Sequence, residues 1–370
     1  MSRSLKQWKE AASLIIAAKH ARVAAPARPS TDKKPCNYQL LLLKRQRKTA
    51  FASAHVFPGG VIDSSDFSHK WLEVFKYVGV SSNNLDLPDL QGKPRPWPVT
   101  VSRNERGLPS DVAFRICALR ETFEESGVLI LSQQHSPNES NTMASCYHGG
   151  LSKADLRDWQ KRVHNDGSSF IDLCHELKAV PDIWSLREWF HILTPQFLKK
   201  RYDTMFYLCA MDIPPAVHID DVEMVKTEWS SPIDILKRFG QHEFTLEPPQ
   251  LIQASSLQKF PDLQELHEYA TKKQLLGTDD WMPIPFIAKD GLLITLPGDD
   301  LYPSDVTYNT NQQMRRLDET REEAKERCQN LFRVHVNDMR PTALFCNIQL
   351  PYGLPSPLSG NENEWKELPS

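Results

Sequence analysis

Residues 111–131 read DVAFRICALRETFEESGVLIL, and no other stretch limits the possible fold so tightly. Apolar residues at 112, 113, 116, 118, 119 and 123 recur at helical spacing, and Asp111 is placed to cap the helix. Gly127 stands where a helix ends in the left-handed backbone conformation, so that VLIL (128–131) can enter a sheet as a strand. Glu121, Glu124 and Glu125 fall at i, i+3 and i+4, which puts three carboxylates on one helix face. Like charges at that spacing cost an isolated helix roughly a few tenths of a kcal/mol per pair. Two outcomes accommodate them: a solvated acidic face, or a hard divalent cation such as Mg²⁺, which takes carboxylate oxygens and leaves positions for phosphate. Arg120, four residues before Glu124, could pin that carboxylate.

The rest of the chain sets the scale. It has 370 residues, of which 40% are hydrophobic, enough to bury the core of one large domain or two ordinary ones. A net charge of −3 gives no electrostatic footprint for DNA or other long nucleic acid. The seven cysteines are scattered, odd in number and never spaced CxxC, which points to a reducing compartment and away from a disulfide framework or a zinc site. No apolar run approaches the roughly 20 residues of a membrane span, so a soluble protein is expected. Residues 1–28 carry six basic side chains against Glu10 alone, the pattern of a mitochondrial transit peptide; the alternative is that SLIIAAK forms the first strand of the fold.

Strands are expected at YQLLLLKR (38–45), within 51–63 up to the turn at Pro58-Gly59-Gly60, at WFHILTP, at MFYLCAM and at VEMVKTEW. Helices are expected at 67–79, 152–178, 232–239 (with proline in its first turn), 248–258, 261–273 and 314–328. PIPFIAKDGLLITL reads as a hairpin turning at Lys289-Asp290-Gly291, and 80–110 as loop. Strands and helices interleave without regular βαβ spacing, which predicts an α/β or α+β fold with a mixed sheet.

Arg120-Glu121, Glu124-Glu125 and Gly127 stand at the spacing of the second half of the Nudix box, G-x5-E-x7-R-E-U-x-E-E-x-G-U, where U is a bulky apolar residue. Gly60-VIDSS-Asp66 supplies the first half, with aspartate where the family has glutamate, but 53 residues (67–119) separate the halves where the family has seven. Together with AHVFPGG and RYDTMFYLCAM, the split box resembles the Nudix hydrolases, and among them the acyl-coenzyme A diphosphatases of the nudix motif 19 type.

The resemblance implies an α/β/α sandwich over 8–240 with an insertion at about 67–110, and a C-terminal extension over 241–370 of helices and a hairpin. It implies a hydrolase that cuts the diphosphate of coenzyme A or acyl-CoA, with another nucleoside diphosphate derivative or a catalytically silent binding module as alternatives. The implied machinery is Mg²⁺ or Mn²⁺ held by Glu121 and Glu125, with Glu121, Glu124 and Arg120 catalytic and Gly59 and Gly60 at the substrate. Lys199, Lys200 and Arg201 are candidates for the 3′-phosphate of coenzyme A, or a solvated basic turn. His55 is either a substrate contact or a structural histidine, and Asp220, Asp221 and Glu223 are either loop acids or supplementary metal ligands. The apolar KWLEVFKYV either lines an acyl groove or covers the core. A monomer is expected, peroxisomal by resemblance although the chain closes on ELPS rather than an S-K-L tripeptide, with a mitochondrial location as the alternative.

Overall fold

The computed structural model describes residues 8–369 apart from 21–35, 47–52, 83–84, 86, 88–106, 135–141, 148, 220–223 and 307–313. In chain order it contains β1 (Lys9–Lys19), β2 (Tyr38–Arg45), β3 (His55–Val56), β4 (Gly59–Val61), α1 (Trp71–Phe75) and α2 (Ser110–Ser126). There follow β5 (Leu131–Ser132), α3 (Lys153–Asn165), α4 (Ser169–Leu177), β6 (Val180–Pro181), β7 (Arg187–Leu193), β8 (Tyr202–Met211), β9 (Met224–Ser230) and α5 (Pro232–Gly240). Beyond these come α6 (Pro248–Leu257), α7 (Leu263–Gln274), β10 (Ile284–Ala288), β11 (Gly291–Thr295), β12 (Arg315–Arg316) and α8 (Arg321–Arg327). The chain closes with β13 (Phe332–Asn337), β14 (Arg340–Cys346), β15 (Gly360–Asn361) and α9 (Glu362–Lys366).

The central sheet has the order β3-β2-β1-β8-β7, with β4 also on β1 and β9 also on β2. β1 runs parallel to β8, from Lys9↔Tyr202 to Ala18↔Met211, and the other pairings are antiparallel, giving the mixed sheet expected. Its inner strands β1, β2 and β8 carry long apolar runs because both faces are covered. In β1, Ala12, Leu14, Ile16 and Ala18 join one core with Phe114, Ile116 and Phe123 of α2, while Ile15 and Ala17 join a second with Leu251 of α6 and Leu266 of α7. β2 and β8 divide in the same way, Leu41 and Met205 to one side, Leu40 and Phe206 to the other, as the two-residue period of a strand requires. The result is an α/β/α sandwich. β1 is its centre, so SLIIAAK is a strand of the fold.

A second sheet, β12-β10-β11-β13-β14-β15, carries the C-terminal residues and shares the second core through Ile294, Val334, Val336 and Leu344. Among the described residues no helix is long and apolar enough to cross a membrane.

Several expectations change on folding. VLIL is buried, but only Leu131 reaches a strand, pairing with Pro181 of β6, while Leu129 and Ile130 give their carbonyls to Tyr147 and Asp182. Asp111 lies within the first turn of α2; Pro109 occupies the capping position without a side-chain bond. The segment 152–178 is two helices, interrupted where the Asp166 carboxylate accepts from the Ser168 N–H at 2.9 Å. The charged segment 314–328 begins as β12 and becomes helical only at Arg321, after the reciprocal cap formed by Thr320 and Glu323.

The segment 67–79 is broken into short helical turns, and Trp71, Val74 and Phe75 sink into the first core. KWLEVFKYV therefore covers the core and does not line the cavity at the glutamates of α2. The Leu108 N–H donates to the Phe67 carbonyl at 2.9 Å, so the chain returns to the point at which it left.

Candidate functional site

α2 is buried along almost its whole length, which removes the possibility of a solvated acidic face. The side chains of Glu121 and Glu124 are each only 13% exposed, and Glu125 is 3% exposed. The cost of collecting them is therefore higher than on an open helix, and the surrounding elements show how each is held.

β4 lies against α2 and orients two of the three. The Gly59 N–H donates to Glu125 Oε2 at 2.9 Å. At Gly60 a Cβ would stand 2.3 Å from Glu121 Oε2, so only glycine lets the strand approach the carboxylate this closely. The Gly60 carbonyl receives a weak bond from the Cys117 thiol at 3.8 Å. Glu124 Oε1 meets His164 Nδ1 of α3 at 2.7 Å. At the far end Gly127 takes φ 68° and returns its N–H to the Phe123 carbonyl, ending the helix one residue after the site.

Arg120 does not chiefly pin Glu124, from which it is 3.5 Å away. Its guanidinium forks onto Asp66, Nε to Oδ1 at 2.9 Å and Nη2 to Oδ2 at 3.1 Å, and it also reaches Glu121 Oε1 at 2.9 Å and the Val61 carbonyl at 3.2 Å. The two halves of the split box thus meet through a buried ion pair. Asp66, the acidic residue of the first half, is joined in space to the arginine of the second.

Burial raises the Glu121 carboxyl; Arg120 opposes this, Glu124 and Asp66 add to it, and the balance is about 7. The glutamates open into a cavity of about 460 Å³, lined also by Arg45, Glu247, Phe197, Phe206, Ile294 and Met339. Burial likewise raises Glu247 to about 7. Among the described lining residues four carboxylates face one cation, Arg45. Such a cavity repels a phosphate unless cations enter with it.

Among the described residues no group of three His, Cys, Asp or Glu side chains is gathered to hold an ion. Glu121, Glu124 and Glu125 instead engage Arg120, His164 and the Gly59 N–H. The donor chemistry nonetheless fits a hard divalent cation: carboxylate oxygens on one face, in excess of the nearby positive charge, with a glycine strand leaving room above them.

Lys199, Lys200 and Arg201 sit in the turn before β8, Lys199 and Lys200 exposed. None lines the cavity, although Leu198 and Tyr202 on either side of them do. Arg201 gives its Nε to the Leu198 carbonyl at 2.9 Å and lies over the Trp8 ring at 5.7 Å. His55 is buried, stacked on Phe244 at 4.1 Å, and its Nδ1 accepts from the Thr245 N–H. Burial lowers it to about 4, the state of a neutral structural histidine. Asp220, Asp221 and Glu223 lie outside the described residues. Arg45, His164 and Glu247 join the site without any local signal in the sequence; Arg45 is simply the last residue of LLLLKR.

A mixed sheet between helical layers, with a glutamate helix backed by a glycine strand, defines a Nudix domain. A family model described as the NUDT19 Nudix domain matches residues 8–257, and one described as the NUDT19 C-terminal domain matches 286–347. The chain is 37% identical to the acyl-coenzyme A diphosphatase NUDT19 of Gallus gallus, over 98% of this chain and 97% of that protein. It is 36% identical to the human protein of the same name, over 88% and 90% respectively. A Nudix hydrolase structure from Alicyclobacillus acidocaldarius aligns at 20% identity and a TM-score of 0.48, covering 72% of this chain and 97% of that one. This chain belongs to the NUDT19 family of Nudix hydrolases.

Proposed function

We propose that this protein hydrolyses the diphosphate of coenzyme A and of acyl-CoA esters, releasing 3′,5′-ADP and (acyl-)4′-phosphopantetheine. Its relatives carry that activity in their names, at 36–37% identity over nearly the full chain. The observation that carries the proposal is the buried, glycine-backed trio Glu121, Glu124 and Glu125 at the mouth of a cavity with extensive apolar walls. An acidic, cation-poor site suits a diphosphate that arrives with metal, and apolar walls suit the organic part of the substrate that follows it.

Glu121 and Glu125 would hold the ion, Mg²⁺ or Mn²⁺, which when bound supplies electrophilic stabilisation to the phosphoryl oxygens. The protein's own residues do the rest. The Gly59 N–H fixes Glu125, and Arg120, itself fixed by Asp66, holds Glu121. Water attacks one phosphorus, its proton passes to a carboxylate, and the bond to the bridging oxygen breaks with that oxygen leaving on the second phosphate. Glu121 and Glu124 are the two candidate proton acceptors, the latter oriented by His164. Among the described lining residues the cation is Arg45.

Other assignments belong to the same proposal. They are a monomer without DNA as partner, a peroxisomal location, Lys199 to Arg201 at the 3′-phosphate, and a division of the chain into 8–240 and 241–370.

The test is a panel of diphosphate substrates with product identification on the parent, Glu121→Gln and Glu125→Gln. Glutamine costs a helix little, so both variants should fold, lose nearly all turnover and gain less thermal stability than the parent on adding Mg²⁺. 3′-Dephospho-coenzyme A should be a poorer substrate than coenzyme A. Full activity and an unchanged metal response in both variants would remove the proposal.

A further inference from the structure

The cavity joins two parts of the chain that lie on opposite faces of the central sheet. α2, which carries the glutamates, packs its apolar residues in the first core, whereas Ile294 of β11 and Val336 of β13 belong to the second. The cavity lining includes residues of the central sheet from both sides, Ala12 of β1 from the first core and Phe206 of β8 from the second. On the second side its apolar walls come from the C-terminal sheet, Leu292 and Ile294, then Val336, Met339 and Pro341, beside Glu247 and Gln250 at the start of α6. A diphosphate has no use for such walls. Pockets of roughly 300–1,000 Å³ with this lining ordinarily take an organic ligand whose few polar groups are read at one point.

A second observation singles out one side chain. β13 and β14 are joined by the two residues Asp338 and Met339, both at positive φ (47° and 62°). A two-residue turn of this kind favours Asn-Gly or Asp-Gly, and an unbranched bulky residue there is strained. Met339 is 61% exposed although it lines the cavity. Strain of this sort gathers at ligand clamps. A methionine is the residue that adapts to chains of varied length and shape.

We infer that the β11 and β13–β14 face of the cavity, with Met339 at its rim, binds the acyl chain of an acyl-CoA while the diphosphate lies at Glu121 and Glu125. The C-terminal sheet is then the element that sets chain-length preference. The inference rests on the proposed diphosphatase function.

The experiment measures kcat and KM separately for coenzyme A and for butanoyl-, octanoyl- and dodecanoyl-CoA, on the parent, Met339→Gly and Leu292→Ser. It also measures binding of the same series in the presence of a metal chelator. Glycine is favoured in the left-handed turn, so Met339→Gly should fold at least as well as the parent. Leu292 is only half-buried, and Leu292→Ser supplies a second, independent variant. In the parent, each methylene that enters the groove should tighten binding by up to about fourfold, the equivalent of about 0.8 kcal/mol, until the groove is full. Both variants should reduce the ratio of octanoyl-CoA to coenzyme A in kcat/KM at least fivefold, mainly through KM. A parent that cleaves coenzyme A but shows no chain-length gradient overturns the inference and leaves the diphosphatase in place, as do variants with an unaltered ratio. A parent that cleaves neither compound overturns the diphosphatase, and the chelated binding series then decides the groove by itself: a gradient abolished in the variants supports it, and no gradient ends it.

Discussion

Replacing Asp66 with alanine would expose what holds the two halves of the split box together. Asp66 is fully buried, and Arg120 is nearly so, its side chain 4% exposed. The substitution removes two charge-assisted hydrogen bonds from the guanidinium and the bond from the Asp63 N–H to Asp66 Oδ2 at 2.8 Å. Removing one partner of a buried ion pair costs about 3–5 kcal/mol. The lower end applies, because Arg120 keeps Glu121 Oε1 at 2.9 Å and the Val61 carbonyl at 3.2 Å. The lost cap adds about 1 kcal/mol. Asp66→Ala should therefore lose about 4 kcal/mol in urea unfolding, seen as a lower midpoint at unchanged slope. Freed of Asp66, Arg120 should draw more strongly on Glu121, so turnover should fall even where the variant is folded. The double variant Asp66→Ala/Arg120→Met removes the unpaired guanidinium but also the partner of Glu121, so the two losses should be non-additive, the double losing less than the sum of the single variants. A loss below about 1 kcal/mol for Asp66→Ala, or strictly additive losses in the double variant, would refute this account of the ion pair.

The remaining predictions concern the strand, the insertion and a buried histidine. Gly60→Ala should leave the unfolding midpoint close to that of the parent, because the Glu121 carboxylate can swing away from the new methyl, while displacing that carboxylate should cut turnover; full activity would show that the close approach is dispensable. Replacing 86–106 with a short linker should preserve a cooperative thermal transition, since closure costs grow slowly with length; extending the replacement to 67–80 should abolish it, because Trp71, Val74 and Phe75 are core. His191 is fully buried between Asp203 and Asp280, and although burial opposes its charge, Asp203 first and Asp280 second raise it to about 9. Its folded pKa lies above the unfolded value of about 6.5, so its contribution to stability is complete below that pH and is lost as pH rises through about 9. Stability measured from pH 6 to 10 should fall across that window in the parent and be flatter in His191→Gln.

What could be read directly was whatever the chain encodes locally. Strands covered on both faces appear as apolar runs, which is why SLIIAAK, YQLLLLKR and MFYLCAM were legible and why they prove to be adjacent. The helix from Ser110 to Ser126 with its glycine stop follows from residue spacing alone. The β13–β14 hairpin was not legible, because its turn is Asp338-Met339 and carries no glycine to mark it.

Residue spacing is enough to read the glutamate helix and its glycine stop, which depend on near neighbours, and the two box halves point to the family; that Gly59 and Gly60 face this helix is a tertiary contact. The tertiary structure alone decided the partners. Asp66 reaches Arg120 because Leu108 returns to Phe67, and His164 and Glu247 join the site from separate helical regions. It also decided that VLIL lies buried beside the central sheet instead of within it, because β8 already occupies the parallel position next to β1. Period and spacing specify which face of an element is apolar; they do not specify what comes to cover it, and the cavity is made of surfaces brought together by that covering.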